Sequence, residues 1–110
     1  MGSGEREIKQ TGMKRALIIR PEAERDLAEA YQWYESQLAG LGSDFLLRLD
    51  ATLSSIQRTP DLYPAVHRKI RRALIRRFPY GIFYLVERNR IVVLGVLHAR
   101  RDPRTWRRRM

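Results

Sequence analysis

The stretch of residues 71–101 constrains the fold of this chain more than any other, because it contains three apolar runs of strand length. Residues 82–86 and 91–97 are rich in Val, Ile, Phe, Tyr and Leu, and the polar residues 88–90 separate them. This pattern predicts a β-hairpin, with a further strand before it at residues 73–75. Both alternating faces of residues 91–97 are apolar, so we expect this strand to lie in the middle of its sheet.

The first half of the chain predicts one strand followed by a helix. Residues 14–20 form a short apolar run flanked by charge, as expected of a strand. Pro21 suits the first turn of a helix, where its missing N–H would have no partner in any case. Seven apolar residues then recur at helical spacing and define one buried face. They are Ala23, Leu27, Ala30, Tyr31, Tyr34, Leu38 and Leu41.

A second helix follows closely and completes a helical hairpin. Gly40 and Gly42 are typical of a helix C-terminus, and we expect them to end the first helix. Ser43 is then the predicted N-cap of the second helix, which ends before Pro60. The predicted buried face of this helix consists of Leu46, Leu49, Leu53 and Ile56. Residues 61–69 are predicted to form a loop.

Together these segments predict an α+β domain with the order β-α-α-β-β-β. We expect the helical hairpin to pack on one face of a small, mainly antiparallel four-stranded sheet. Residues 1–12 are polar and contain the Gly-Ser-Gly sequence typical of a cloning scar, so we interpret them as a leader outside the fold. Residues 13–110 then form a single domain that ends in a basic tail at residues 100–110.

Basic side chains are concentrated in the second half of the chain. Residues 1–61 carry 8 basic and 10 acidic side chains, whereas residues 62–110 carry 14 basic and 2 acidic ones, a net charge of +12. This excess favours an acidic partner, either nucleic acid or an acidic protein segment. The alternative is a solvated surface that serves only solubility.

Several classes of site are excluded or disfavoured by the residues available. The chain has no Cys, which rules out disulfides and thiolate metal sites and is typical of the reducing cytoplasm. His67 and His98 are the only histidines, and there is no glycine-rich phosphate loop, so we expect neither a metal nor a cofactor. No apolar run approaches the roughly 20 residues that span a bilayer, so no membrane partner is expected.

Four segments, in their order and spacing, resemble a known family. They are residues 20–27, the Trp33-Tyr34 pair, residues 77–84 and residues 96–103. In them the chain resembles the RelE/ParE toxins of type II toxin–antitoxin systems, and most closely the ParE-like branch, often described as plasmid stabilisation proteins. The resemblance implies a small toxin that a cognate antitoxin protein binds and keeps inactive.

The resemblance also implies which residues serve which partner. ParE-like members poison DNA gyrase and are not nucleases. The target contacts implied for such a toxin are Arg76, Arg77, Tyr80, His98, Arg100, Arg101 and Trp106. The antitoxin contacts implied on the first helix are Leu27, Tyr31, Trp33 and Tyr34.

Two alternatives remain open. RelE-like members cleave messenger RNA on the ribosome, and in this chain Arg77 could contact the phosphate while His98 acts as acid or base. Such nucleases often take a Glu or several Lys from the segment before the second strand. Residues 61–69 contain no Glu, which favours a binding toxin over an enzyme. The other alternative is a non-toxic nucleic-acid-binding module.

Overall fold

The computed structural model describes residues 15–110 and, for residues 6–8, the course of the backbone alone. Its elements are β1 (Arg6–Ile8), β2 (Ala16–Ile19), α1 (Pro21–Gln37), α2 (Leu41–Arg58), a 3-10 turn (Pro60–Leu62), β3 (Ala65–His67), β4 (Ile70–Leu74), β5 (Tyr80–Val86), β6 (Arg90–His98) and α3 (Pro103–Arg107). The strands form one sheet in the order β1-β2-β6-β5-β4-β3, in which only β2 and β6 run parallel. The predicted α+β class is confirmed, but the sheet has six strands where four were predicted.

The predicted hairpin of β5 and β6 forms the centre of the sheet. Residues 91–97 are all buried, as their two apolar faces predicted. Phe83 pairs with Gly95 but the next residue, Tyr84, pairs with Val93. Leu94 is therefore an extra residue of β6 and forms a β-bulge, which changes the direction in which the last part of β6 presents its backbone groups.

Helices α1 and α2 pack on one face of this sheet and enclose the main core, as predicted. Their buried side chains are chiefly Ala23, Ala30, Tyr34, Phe45, Leu49, Leu53 and Ile56, and those of the sheet are chiefly Leu17, Ile19, Ala73, Ile82, Tyr84, Ile91, Val93 and Val96. Tyr84 is fully buried, and its hydroxyl donates a 2.6 Å hydrogen bond to the carbonyl oxygen of Pro60. The hydroxyl can be buried because this bond satisfies it.

Helix α3 covers the opposite face of the sheet. Trp106 is only 5% exposed and stacks on Phe83, with ring centroids 4.7 Å apart. Ile70, Val92, Leu94 and Leu97 complete this second core. Trp106, which was predicted to contact the target, thus has its indole in this core, where it holds the C-terminal segment on the sheet.

Helix α3 begins at a local start signal that the sequence interpretation overlooked. The carboxylate of Asp102 accepts a 3.0 Å hydrogen bond from the backbone N–H of Arg104, and Pro103 occupies the first helical position. An N-cap Asp followed by Pro is a frequent way to begin a helix. The predicted basic tail is therefore a short capped helix.

The junction of α1 and α2 also differs from the prediction. Helix α1 ends at Gln37, and Gly40, with a φ of +91°, is the residue before α2. The carboxylate of Glu35 accepts hydrogen bonds from the N–H groups of Gly40 (2.9 Å) and Gly42 (3.0 Å). Glu35 thus caps α2 in place of Ser43, which lies inside the helix.

Gly42 has a packing role and does not end a helix. A Cβ at this position would lie 2.7 Å from the ring of Tyr31, so only glycine lets the two helices approach so closely here. Leu38, which was predicted on the buried face of α1, is 65% exposed because it follows the last residue of that helix.

Two strands at the sheet edges lie outside the predicted ones. Residues Ala65–His67, within the predicted loop, form β3 and pair with β4. Three residues are too few to show an alternating pattern in a sequence. The backbone of Arg6–Ile8, within the predicted leader, pairs antiparallel with β2. The remainder of residues 1–14 lies outside the described part of the chain.

Candidate functional site

A groove of about 470 Å³ runs between α1 and the end of β6. It exists because β2 pairs with β6 only as far as Val93, whereas β6 continues to His98. Its lining consists of Asp26, Glu29, Ala30, Trp33, Tyr34, Pro79, Tyr80, Val96, Leu97, His98 and Arg101. The groove is thus lined by a helix on one side and by a strand end with its following turn on the other.

Four rings form the aromatic part of the groove. Trp33 is 57% exposed and meets Tyr34 edge to face at 5.1 Å. Tyr34 meets Tyr80 at 5.9 Å, and Tyr80 meets His98 at 5.5 Å. Burial raises the pKa of both tyrosines above the ordinary value of a phenol, which already lies well above neutral pH, and their hydroxyls are therefore protonated there. The groove therefore offers aromatic surface together with hydrogen-bonding groups, which suits an apolar or aromatic side chain.

The turn after β6 fixes the orientation of the His98 imidazole. Its Nδ1 accepts a 3.0 Å hydrogen bond from the backbone N–H of Arg100. This bond assigns the lone pair to Nδ1 and, in the neutral ring, the proton to Nε2. The N–H of Arg101 donates to the carbonyl oxygen of His98 at 2.9 Å, which closes the turn and carries Arg101 to the rim of the groove.

Asp26 joins the groove to the edge of β6. Its carboxylate accepts a 3.0 Å hydrogen bond from the backbone N–H of Val96 and a 2.6 Å hydrogen bond from Nη1 of Arg109. Arg109 also donates to the carbonyl oxygen of Leu94 at 3.1 Å. The two side chains thus satisfy backbone groups that a neighbouring strand would otherwise bind.

The structure brings together residues that were predicted to serve different partners. Tyr80, His98 and Arg101 were predicted to bind the target, and Trp33 and Tyr34 to bind the antitoxin, yet all five line this one groove.

The other two predicted antitoxin residues lie away from the groove. Leu27 is half-buried against the main core, and Tyr31 is half-buried at the close approach of α1 to Gly42.

The remaining predicted target residues lie outside the groove. Arg76 and Arg77 are exposed in the turn between β4 and β5, where Arg77 adopts a φ of +73°. Arg76 lines a separate hollow beside α2 together with Arg48. Arg100 is exposed in the turn after β6. Within the described residues, the groove thus contains His98 but not Arg77, the pair on which RNA cleavage was predicted to depend.

A second surface consists of the exposed arginines of α3 and of the residues on either side of it, which we call the basic helix surface: Arg100, Arg101, Arg104, Arg107 and Arg108. Arg104 forms a 2.7 Å ion pair with Asp102, and the guanidinium of Arg107 lies 5.5 Å from the centre of the Trp106 ring. The helix that carries these side chains is held on the sheet by Trp106, whose indole lies in the second core. These arginines therefore form a structured cationic surface within the segment that was predicted to be a basic tail.

Sequence reasoning missed Asp26 and Arg109. A signal for Asp26 was present, because it lies between Ala23 and Ala30 on the face of α1 that was predicted to be apolar. A charge in such a place requires a partner, since an unpaired buried charge is costly. No signal identified Arg109 as that partner, because six arginines follow one another closely in residues 100–109.

Two further findings concern the described residues 6–8 and 15–110. None of their helices combines the length and the apolar character needed to cross a membrane. No three of their acidic or histidine side chains converge where they could hold a metal ion together.

Comparison with known protein families and with solved structures identifies similar proteins. The family model for the ParE toxin of the type II toxin–antitoxin system parDE matches residues 17–103. A solved structure described as the chromosomal ParDE TA system from P. aeruginosa superposes with a TM-score of 0.66 at 15% identity, covering 73% of this chain and 90% of that chain. At 15% identity, the similarity of the two structures is evidence for the fold alone. No curated protein sequence matches the chain significantly.

Proposed function

Since the chain belongs to the family of ParE toxins of type II toxin–antitoxin systems, as the match over residues 17–103 shows, we propose that it inhibits DNA gyrase by binding it. The observation that carries this proposal is the basic helix surface. A toxin that acts by binding needs a structured surface and no reacting groups, and α3 provides one.

The packing of α3 supports this role for its arginines. Trp106 is stacked on Phe83 and Arg109 is paired with Asp26, so the helix is attached at two points. Arg107 and Arg108 are exposed between these anchors. A preorganised cationic surface loses less conformational entropy on binding than a flexible tail does, and it steers association with an acidic protein surface.

The polarity of the groove argues against the RelE-like alternative. RNA cleavage requires cations around the scissile phosphate. The groove offers Arg101, but its opposite wall carries the carboxylates of Asp26 and Glu29. His98 and Tyr80 give this alternative some support, because both residues line one groove and could act in acid–base chemistry.

We assign the groove to the antitoxin. Trp33 is 57% exposed although it lies beside a buried aromatic cluster, and exposed aromatic rings at the rim of a groove are typical of a protein interface. An apolar side chain of the antitoxin would rest between Trp33 and Tyr80. This assignment retains Trp33 and Tyr34 from the predicted antitoxin residues.

Two assays on the toxin recovered from its antitoxin complex test the proposed target. Added to purified gyrase, the toxin should block the supercoiling of relaxed plasmid, and the antitoxin should restore it. Added to a translating extract, it should leave messenger RNA intact. Codon-dependent cleavage with unaffected gyrase would establish the ribonuclease alternative. Salt-sensitive DNA binding without growth arrest on expression would establish the non-toxic module.

A pair of substitutions tests the antitoxin assignment. Trp33→Ala should weaken antitoxin binding by about tenfold or more, as expected of an interface aromatic residue. Leu47→Ala is the matched control, because Leu47 is 68% exposed on α2 and does not line the groove. Equal antitoxin affinity of the two variants would place the antitoxin elsewhere.

A further inference from the structure

Asp26 lines the wall of the groove and also takes part in the attachment of α3 to the sheet. Its side chain is only 9% exposed and that of Arg109 only 19%. The same carboxylate oxygen, Oδ2, accepts hydrogen bonds from Val96 N–H and from Arg109 Nη1. Val96 lines the groove, whereas Arg109 lies two residues after the end of α3. A continuous chain of contacts therefore leads from α3 to the groove.

The backbone of β6 is shaped to admit this contact. A Cβ on Gly95 would lie 2.8 Å from Arg109 Nη1 and 3.2 Å from Asp26 Oδ2. Only glycine leaves room for the ion pair at this position. Gly95 follows the bulge residue Leu94, whose carbonyl oxygen also accepts a hydrogen bond from Arg109. The bulge, the glycine and the ion pair thus form one joint between α1, β6 and the C-terminal segment.

We propose that Arg109 is a positioning residue that couples the groove to the docked state of α3 through Asp26. When α3 is docked, Arg109 neutralises Asp26 and holds its carboxylate on Val96. When α3 leaves the sheet, Asp26 becomes an unpaired and largely buried charge, which must turn towards solvent and release the wall of the groove. Docking of α3 and occupation of the groove therefore favour each other.

The coupling rests on the proposed function only for the identity of the molecule that occupies the groove. It can therefore be tested first on the free toxin. Arg109→Gln should accelerate hydrogen exchange at the Val96 amide by about tenfold, within the range typical of coupled sites. It should also shift the fluorescence of Trp106 towards the red in a Trp33→Phe background. Arg109→Lys keeps the charge and should show an intermediate effect, which excludes a general failure to fold.

The chain offers a matched control on the same helix. Arg104→Gln removes the same charge from α3, but the partner of Arg104 is the exposed Asp102. This variant should leave exchange at Val96 and the emission of Trp106 unchanged. If Arg109→Gln also leaves Val96 exchange unchanged, or if Arg104→Gln accelerates it equally, the coupling is overturned.

The reciprocal effect extends the test to the complex. Arg109→Gln should weaken antitoxin binding although Arg109 does not line the groove, and antitoxin binding should slow exchange of the α3 amides. If Trp33→Ala leaves antitoxin affinity unaltered, the antitoxin assignment fails, while Val96 exchange in the free toxin still decides the coupling. If Trp33→Ala weakens binding and Arg109→Gln does not, the coupling fails and the antitoxin assignment stands.

Discussion

Asp26 and Arg109 lie 83 residues apart in the chain and form a largely buried ion pair of 2.6 Å. One residue is on the first helix and the other lies just beyond α3. The pair ties α1 and the C-terminal segment to the part of β6 that β2 leaves unpaired. It therefore stabilises the domain and also determines how the basic helix surface is presented.

Removing the charge of Asp26 should lower the stability of the protein markedly. Asp26→Asn leaves an oxygen for the Val96 N–H but leaves Arg109 without an anion. We expect a loss of about 3 kcal/mol in the free energy of unfolding, at the lower end for a buried pair because Arg109 is partly solvated. Urea unfolding measures this loss.

Asp44→Asn is the control for that measurement. Asp44 pairs with Arg48 at 3.9 Å on the surface of α2, with its side chain 44% exposed. Its removal should cost about 0.5 kcal/mol, as is typical of exposed pairs. A similar loss for Asp26→Asn would mean that the buried pair contributes no more than a surface pair.

The two tryptophans should differ sharply in their contribution to stability. Trp106→Ala opens a cavity beside Phe83 in the second core and should cost about 3–5 kcal/mol. Trp33→Ala should cost less than about 1 kcal/mol, because more than half of that side chain is already in solvent. Unfolding of the two variants by urea compares them directly, and equal losses would contradict the docking of α3.

Gly95→Ala should act through the ion pair. The new methyl group would collide with Arg109 and Asp26, so we expect a loss of about 1–3 kcal/mol. Because it disrupts the same contact, its effect should add little to that of Arg109→Gln in a double-mutant cycle. Fully additive losses in the cycle would show that Gly95 acts independently of the ion pair.

Alkaline pH should destabilise the protein through Tyr84. Burial raises the pKa of this phenol from its ordinary 10.0 to about 12. The unfolded chain therefore ionises at lower pH than the native protein. The stability contributed by Tyr84 is complete below pH 10 and is lost as the pH rises towards 12.

Tyr84→Phe provides the comparison for the pH measurement. It should cost about 1 kcal/mol at neutral pH, because the hydrogen bond to Pro60 is lost. Its unfolding free energy should then fall less steeply than that of the wild type above pH 10. Equal pH slopes for the variant and the wild type would contradict this prediction, because they would mean that Tyr84 ionises at its ordinary pKa in the native protein.

The sequence predicted those parts of the fold whose apolar residues form a clear pattern. The two helical faces were found because apolar residues recur at the spacing of 3.6 residues, and the strand at 91–97 was found because it is an uninterrupted apolar run of strand length. Short elements such as Ala65–His67 carry no such pattern. The cap of α2 was misassigned because Glu35 reaches it from the preceding helix, and that contact depends on how the chain turns at Gly40.

The candidate site was predicted only in part, for a related reason. Trp33, Tyr80 and His98 stood out as residues of a familiar pattern, but nothing in their spacing shows that α1 and the end of β6 enclose one groove. The ion pair of Asp26 and Arg109 was missed because long-range pairs leave no local pattern in a sequence. The burial of Trp106 was signalled only by the helix start at Asp102 and Pro103.

Gyrase inhibition by a charge-reversed basic helix surface tests the central claim most directly. In Arg107→Glu/Arg108→Glu toxin, the two substitutions lie outside both the groove and the ion pair with Asp26. Reversal of two contact charges should raise the concentration that halves plasmid supercoiling by about tenfold or more, with antitoxin affinity retained. Supercoiling that is inhibited equally by the variant and the wild type would contradict target binding through α3.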